Sequence, residues 1–271
     1  MLGKILGSGQ LGKLASFVSP AFFDVMPARA LWSRSRELVA QSRNGELAKR
    51  AITARAATLA ASMPQIQLSA RSEPGNATAA GTLSAADRGA LIAELYFRQL
   101  FDDGPVLLDL RAAAFTAKGD QLLWAPASWI AQWKPDFIQP LREIYAGFYA
   151  HDDARFRRGL AALSLEHSED LFREQFGGTQ DRVKFEVQAF IDTFHRVFER
   201  CKRERTSLHP DFLPLGIYLA ALYDHEQELG VAIDVTSAFI RATGSGEQTT
   251  SNAHADTSHK KPSTNGSSAD A

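Results

Sequence analysis

Residues 83–163 read LSAADRGALIAELYFRQLFDDG (83–104), PVLLDLRAAAFTAKGDQLLWAPAS (105–128) and, after five connecting residues, KPDFIQPLREIYAGFYAHDDARFRRGLAAL (134–163). The first and third segments repeat apolar residues at three- and four-residue spacing, which is typical of amphipathic helices. The middle segment carries two short apolar runs, VLLDL and QLLWA, on either side of AKGD. That pattern predicts a β-hairpin near residues 105–125 with its turn at Lys118–Asp120. This stretch therefore predicts a helix, a short hairpin and a second helix.

The ends of the first helix carry clear boundary signals. Ser84 is a favourable N-cap, and Asp87 places a negative charge in the first turn. The sequence Asp-Asp-Gly-Pro at 102–105 ends the helix, because glycine and proline do not continue one. Upstream, residues 29–63 are helix-prone, with a predicted break at Asn44–Gly45.

The helical periodicity continues downstream to residue 243. DLFREQFG, DRVKFEVQAFIDTFHRVFERCKRE and PLGIYLAALYDHEQELG each predict a helix, and Asp234 is a suitable cap for a last short one. We therefore expect a mainly α-helical fold with one short hairpin, organised as a single helical domain over 83–243 preceded by the 29–63 helical segment.

Three other segments differ in composition from this domain. Residues 64–82 are rich in turn-forming residues and predict a linker or exposed loop. Residues 1–28 combine apolar residues, lysines and four glycines, and predict an amphipathic arm that lies either on the protein's own core or at a membrane interface. Residues 244–271 lack large apolar side chains and predict a disordered tail.

The bulk composition is that of a globular protein. Of 271 residues, 45% are hydrophobic and 23% are charged, and the net charge of −1 gives no reason to expect a nucleic-acid partner. The single cysteine, Cys201, excludes an internal disulfide and a cysteine zinc site. These features predict a cytoplasmic protein, and the absence of a run of about 18 apolar residues agrees with that.

Charge is distributed unevenly along the chain. The first 60 residues contain nine cations and only three acids. The simplest interpretation is a solvated basic face. The alternative is docking to an anionic lipid surface or an acidic partner, which would make the protein membrane-peripheral.

The phrase FRQLFDDG (97–104) resembles the UbiB/AarF family of atypical kinase-like proteins, in which a helix ending in a similar phrase leads into a catalytic loop. The resemblance covers roughly residues 83–165, and it is strongest at Phe97, Arg98, Gln99, Phe101, Asp103 and Gly104. When the segment after FRQLFDDG is aligned with the family without a gap, the resemblance puts Asp109 on the family's catalytic-loop aspartate. It implies a reduced, kinase-like C-lobe, since no glycine-rich hairpin or strand lysine precedes it.

The positions around Asp109 depart from the family's pattern. Leu107 and Arg111 stand where the family has histidines, and residues 112–114 are all alanine where it has proline, glycine and asparagine. Pro126 stands roughly where it has a metal-binding aspartate. Phosphoryl transfer needs oxygen ligands that hold metal ions against the phosphates, and neither alanine nor proline has a side-chain oxygen.

These departures make a non-catalytic, pseudokinase-like module the leading hypothesis, without a cofactor. The resemblance implies a partner protein or an isoprenoid lipid as its ligand. Two enzyme alternatives stay open. One is a divergent phosphotransferase that uses Asp109. The other is a helical-bundle metal-dependent oxidase that uses Asp192, His195 and Glu199, which fall on one helical face. The second set has a simpler interpretation, namely a surface histidine beside charged helical neighbours.

Overall fold

A computed structural model describes residues 20–69 and 82–244. Within them the chain is mainly helical with a short hairpin, which confirms the predicted fold class. The α-helices are α1 Pro20–Val25, α2 Ala28–Arg43, α3 Gly45–Ser62, α4 Ala85–Phe101, α5 Pro135–Tyr149, α6 Asp153–Ala162, α7 Glu169–Gln175, α8 Val187–Glu204, α9 Phe212–Leu229 and α10 Val235–Thr243. The strands are β1 Ile66–Leu68, β2 Val106–Leu107, β3 Phe115–Lys118, β4 Gln121–Trp124, β5 Ile130–Ala131, β6 Val183–Lys184 and β7 Ala232–Ile233.

Side-chain caps begin several helices where the sequence predicts them. The Ser84 hydroxyl accepts a hydrogen bond from the Asp87 amide at 3.1 Å, and α4 ends at Phe101. Asn44 separates α2 from α3, and its side chain accepts from the Leu47 amide at 3.0 Å. Each cap satisfies an amide that the helix itself leaves without an acceptor.

The hairpin has a different first strand from the predicted one. Strand β3 pairs antiparallel with β4, whereas β2, which lies in VLLDL, pairs with β5. The physical reason is burial. All five residues of VLLDL are buried, and so this segment cannot form a hairpin strand with one solvated face. FTAK instead alternates half-buried and exposed residues.

Parts of the predicted linker and of a predicted helix are strands. Residues 66–68 form β1, which pairs in parallel with β4, so the linker prediction is wrong for them. The helix predicted from Asp181 begins only at Val187, because Val183–Lys184 pairs with β7. Residues 70–81, most of the predicted arm (1–19) and the predicted tail beyond Gly244 lie outside the described residues.

Helix α4 lies at the centre of the core. Nine of its seventeen residues are buried, and it packs against α5, α9 and α10. Arg34 of α2 forms a 2.5 Å ion pair with Asp211 at the start of α9, and both side chains are almost completely inaccessible. None of the described helices has the length and apolar character needed to cross a membrane.

Candidate functional site

Asp109, the residue matched to the kinase-like catalytic aspartate, is buried and fully hydrogen-bonded. The Arg111 guanidinium donates to both carboxylate oxygens, from Nε to Oδ1 at 2.6 Å and from Nη2 to Oδ2 at 2.8 Å. The Ala127 amide also donates to Oδ2, at 2.9 Å. The Asp109 backbone oxygen accepts from the Trp124 indole at 2.8 Å. The residue therefore ties the two ends of the hairpin region together.

This arrangement leaves little catalytic capacity at Asp109. A general base must reach the proton that it removes, but here the carboxylate oxygens already accept from Arg111 and Ala127. The hydrogen bond to Asp109 raises the pKa of the Arg111 guanidinium above its usual range, so Arg111 stays charged. Leu107 is buried, and residues 112–114 form a short 3-10 turn of alanines. The positions that a kinase would fill with metal ligands are thus apolar.

The second candidate set lies on the solvent side of α8. Asp192, His195 and Glu199 are all exposed, and Asp192 accepts a hydrogen bond from Gln188 at 2.8 Å. A bundle metal site takes carboxylates and histidines from facing helices. Across residues 20–69 and 82–244, no group of three or more His, Cys, Asp or Glu side chains is arranged to hold a metal ion. The geometry adds nothing to the oxidase hypothesis.

The clearest site candidate is an apolar cavity enclosed by α4, α5 and the helices after α6. Its wall is mainly aromatic, and its principal members are Tyr96, Phe97, Tyr145, Tyr149, Phe176 and Tyr223. The rings pack edge-to-face and stacked, with centroids as close as 4.7 Å between Tyr145 and Phe176. The centres of water-sized spheres can occupy a volume of about 40 Å³ inside this cavity.

Three of the four tyrosine hydroxyls of the wall bond to partners in the protein, namely those of Tyr96, Tyr145 and Tyr223. Those of Tyr96 and Tyr145 lie 2.6 Å apart and hydrogen-bond each other. Behind them, the Tyr218 hydroxyl accepts from Gln99 Nε2 at 2.9 Å and donates to the Tyr96 carbonyl at 3.3 Å. Burial raises the pKa of Tyr96 and Tyr145, so both remain neutral phenols. The cavity consequently offers aromatic surface and almost no free polar group.

A surface hollow lies directly outside this cavity. It is bordered by the turn after α7, by β6 and by α8, and about 380 Å³ of it is open to water-sized spheres. The hollow and the cavity share Gln175, Val183 and Tyr223 as lining residues. The Gln175 side chain donates to the Tyr223 hydroxyl at the boundary between the two spaces. This hydrogen bond lies where the two spaces meet.

Helix α9 also carries two buried ionisable residues. Glu226 is 1% exposed, neither of its carboxyl oxygens has a hydrogen-bond partner, and burial raises its pKa to about 8. It lies against Gly89 of α4, where an added Cβ would come within 2.5 Å of its Oε2. The neighbouring His225 bonds the Leu110 carbonyl through Nδ1 at 2.8 Å, and burial lowers its pKa.

The cavity is the feature that sequence reasoning missed. Tyr145 and Tyr149 are four residues apart, which places them on one face of α5 and was a usable signal. Their partners in the wall include Ala93 and Val235, which lie 52 and 90 residues from Tyr145 in the sequence, and no local pattern gives that assembly.

No family model matches the chain, and no curated protein matches it significantly. The likeness of residues 83–165 to the UbiB/AarF family therefore stays a hypothesis that rests on its residues.

Proposed function

We propose that the protein is a non-catalytic, UbiB-like module that binds an isoprenoid lipid in the aromatic cavity. The cavity is the observation that carries this proposal. Its aromatic wall takes up apolar chains, and the hydroxyls of Tyr96, Tyr145 and Tyr223 are engaged by each other or by the Gln175 side chain. Each methylene group that moves from water into such a cavity contributes about 0.8 kcal/mol to binding.

The state of Asp109 supports the non-catalytic part of the proposal. Its carboxylate is engaged by Arg111 and by the Ala127 amide. A phosphotransferase would need this aspartate free and would need further oxygen ligands nearby. In the proposed module, the kinase-like stretch serves as a scaffold that holds α4 beside the hairpin.

A basic face on α2 supports a position at the membrane periphery within the cytoplasm. Arg29, Arg36 and Arg43 are exposed, are seven residues apart, and form no ion pair with any described residue. Trp32 lies on the same side of the helix and is 51% exposed. Basic side chains beside a tryptophan suit the surface of an anionic bilayer, where each cation contributes about 1 kcal/mol. A partner protein with an acidic surface would use the same face.

The proposal is tested by titrating the full chain with farnesol, a short isoprenoid alcohol, and following intrinsic fluorescence. We expect saturable binding to the wild type. Ala93 lines the cavity and is 1% exposed, so Ala93→Leu fills the free space and should weaken binding by roughly tenfold or more.

A matched control keeps the chemistry of the substitution and moves it away from the cavity. Ala117→Leu makes the same change on β3. It should leave farnesol affinity unchanged, while circular dichroism verifies that both variants fold. Binding that is equally strong in the wild type and in Ala93→Leu would remove the cavity from the proposal.

A further inference from the structure

We infer that the surface hollow outside Gln175 and Tyr223 is a second subsite, which holds the uncharged, hydroxyl-bearing end of an amphipathic ligand whose apolar tail enters the cavity. This inference rests on the proposed function, because it assigns the entry route and the head-group chemistry of the same ligand. The two spaces meet at Gln175, Val183 and Tyr223, which line both of them.

The sizes of the two spaces fit this division. The cavity offers about 40 Å³ to the centres of water-sized spheres and the hollow about 380 Å³. One water needs about 10–15 Å³ on this measure, so the cavity has room for only a few waters. An isoprenoid tail therefore has to displace side chains of the cavity wall as it enters, whereas the wider hollow admits a head group without such displacement.

The lining of the hollow determines the kind of head group. Thr179, Gln180 and Thr193 offer uncharged donors and acceptors. The charged members already have partners: Glu174 pairs with Arg196 at 3.0 Å, and Lys184 lies 3.6 Å from Glu186. A phosphate in the hollow would face two carboxylates and a single lysine. A hydroxyl group avoids this repulsion and still finds hydrogen-bond partners.

The boundary between the spaces is able to open. Gln175 is only half-buried, and its side chain donates to the Tyr223 hydroxyl. The chain then turns through Gly177 and Gly178, whose φ angles of +100° and +60° are readily adopted by glycine. Rotation of the Gln175 side chain breaks one hydrogen bond and moves no helix. The Gln175–Tyr223 hydrogen bond is thus the closure that the tail has to pass.

Two ligands with the same tail test the head-group assignment. The full chain is titrated with farnesol and with farnesyl monophosphate, which differ only at the head. We expect farnesol to bind at least roughly tenfold more tightly, because the phosphate meets Glu174 and Glu186. Stopped-flow fluorescence of Tyr223→Phe, which loses the acceptor of the Gln175 bond, should show farnesol association faster by roughly fivefold.

A blocking experiment tests the route. Gln180→Cys places a thiol in the hollow, and a bulky maleimide attached there should slow farnesol association by roughly tenfold. The native Cys201 is fully buried and does not compete for the reagent. The control is Lys118→Cys, which carries the same label at the exposed end of β3 and should bind farnesol at the wild-type rate.

The outcomes separate this inference from the function on which it rests. Equal affinity for the two ligands, or unchanged association when the 180 position is blocked, overturns the head-group subsite while the cavity proposal stands. If farnesol does not bind the wild type at all, both the proposed function and this inference are wrong.

Discussion

Replacing Glu226 with glutamine should remove a pH-dependent loss of stability that the buried carboxyl group imposes on the fold. The side chain lies between α9 and α4 with both oxygens lacking hydrogen-bond partners, and burial raises its pKa to about 8. In the unfolded chain the same group titrates near its ordinary value of 4.5. Glutamine keeps the shape of the side chain and removes the titration.

The sign follows from which state holds the proton. Below pH 4.5 both states are protonated, and the group adds no pH dependence. Between pH 4.5 and about 8 the folded protein keeps a proton that the unfolded chain has released, so stability falls as the pH rises. Above pH 8 both states are ionised and the loss levels off.

The magnitude follows from the same two values. Each unit between them corresponds to about 1.4 kcal/mol. Between pH 5.5 and pH 8.5 the wild type should therefore lose about 3 kcal/mol of unfolding free energy through Glu226. Other groups contribute to the total pH dependence, His225 among them, but they are present in both proteins and cancel in the comparison.

Urea unfolding at the two pH values measures this difference. The change in unfolding free energy with pH should be smaller by about 3 kcal/mol in Glu226→Gln than in the wild type. Glu228→Gln is the control, since Glu228 is exposed on the same helix. If Glu226→Gln and the wild type lose the same stability between pH 5.5 and pH 8.5, Glu226 is not a buried, neutral acid and the reasoning is refuted.

Three further outcomes are expected. Asp109→Ala should lower the unfolding free energy by about 3 kcal/mol, because it leaves the Arg111 guanidinium without its carboxylate. Magnesium ATP should not shift the melting temperature of the wild type or of this variant. A nucleotide-induced shift that is present in the wild type and lost in the variant would favour the phosphotransferase alternative. Gly159→Ala should lower the melting temperature and cost about 1–3 kcal/mol of unfolding free energy, since the added Cβ would lie 2.7 Å from the Pro140 backbone oxygen. Gly216→Ala is the control and should be neutral or stabilising, because its added Cβ would meet nothing within 4 Å. Equal effects of the two substitutions would contradict the close packing of α5 on α6. The fraction of protein that co-sediments with vesicles containing anionic lipid should fall strongly when Arg29, Arg36 and Arg43 are changed to glutamate. The same change at three exposed cations elsewhere should leave that fraction unchanged, and these are Lys118, Arg182 and Arg205.

Local signals in the sequence were sufficient for several helix ends, although the single helix predicted over 134–163 is two helices, α5 and α6. Ser84, Asn44 and Asp234 are caps in the structure because a short polar side chain next to a helical run satisfies an amide within three residues. The end of α4 before the Asp-Asp-Gly-Pro sequence follows from the same kind of short-range chemistry. Hydrophobic periodicity then gave the mainly helical fold class.

Strand pairing and the role of Asp109 depended on contacts that the sequence does not encode locally. VLLDL and FTAK both have strand-like composition, and burial of the first among the helices left the second to pair with β4. The resemblance to the UbiB/AarF family puts Asp109 on a catalytic position. Its carboxylate is nevertheless occupied by an arginine two residues away and by the Ala127 amide.

By itself, the sequence determined the helix starts at Ser84, Asn44 and Asp234, because capping acts over three or four residues. Only the tertiary structure decided that Tyr96, Tyr145 and Tyr223 line one cavity, and that Gln175 lines both this cavity and a polar hollow. These side chains come from four helices and meet only when the helices pack around α4. The physical reason is that an apolar side chain favours burial against any apolar surface. The packing of the whole fold determines which side chains it contacts and how much space is left between them.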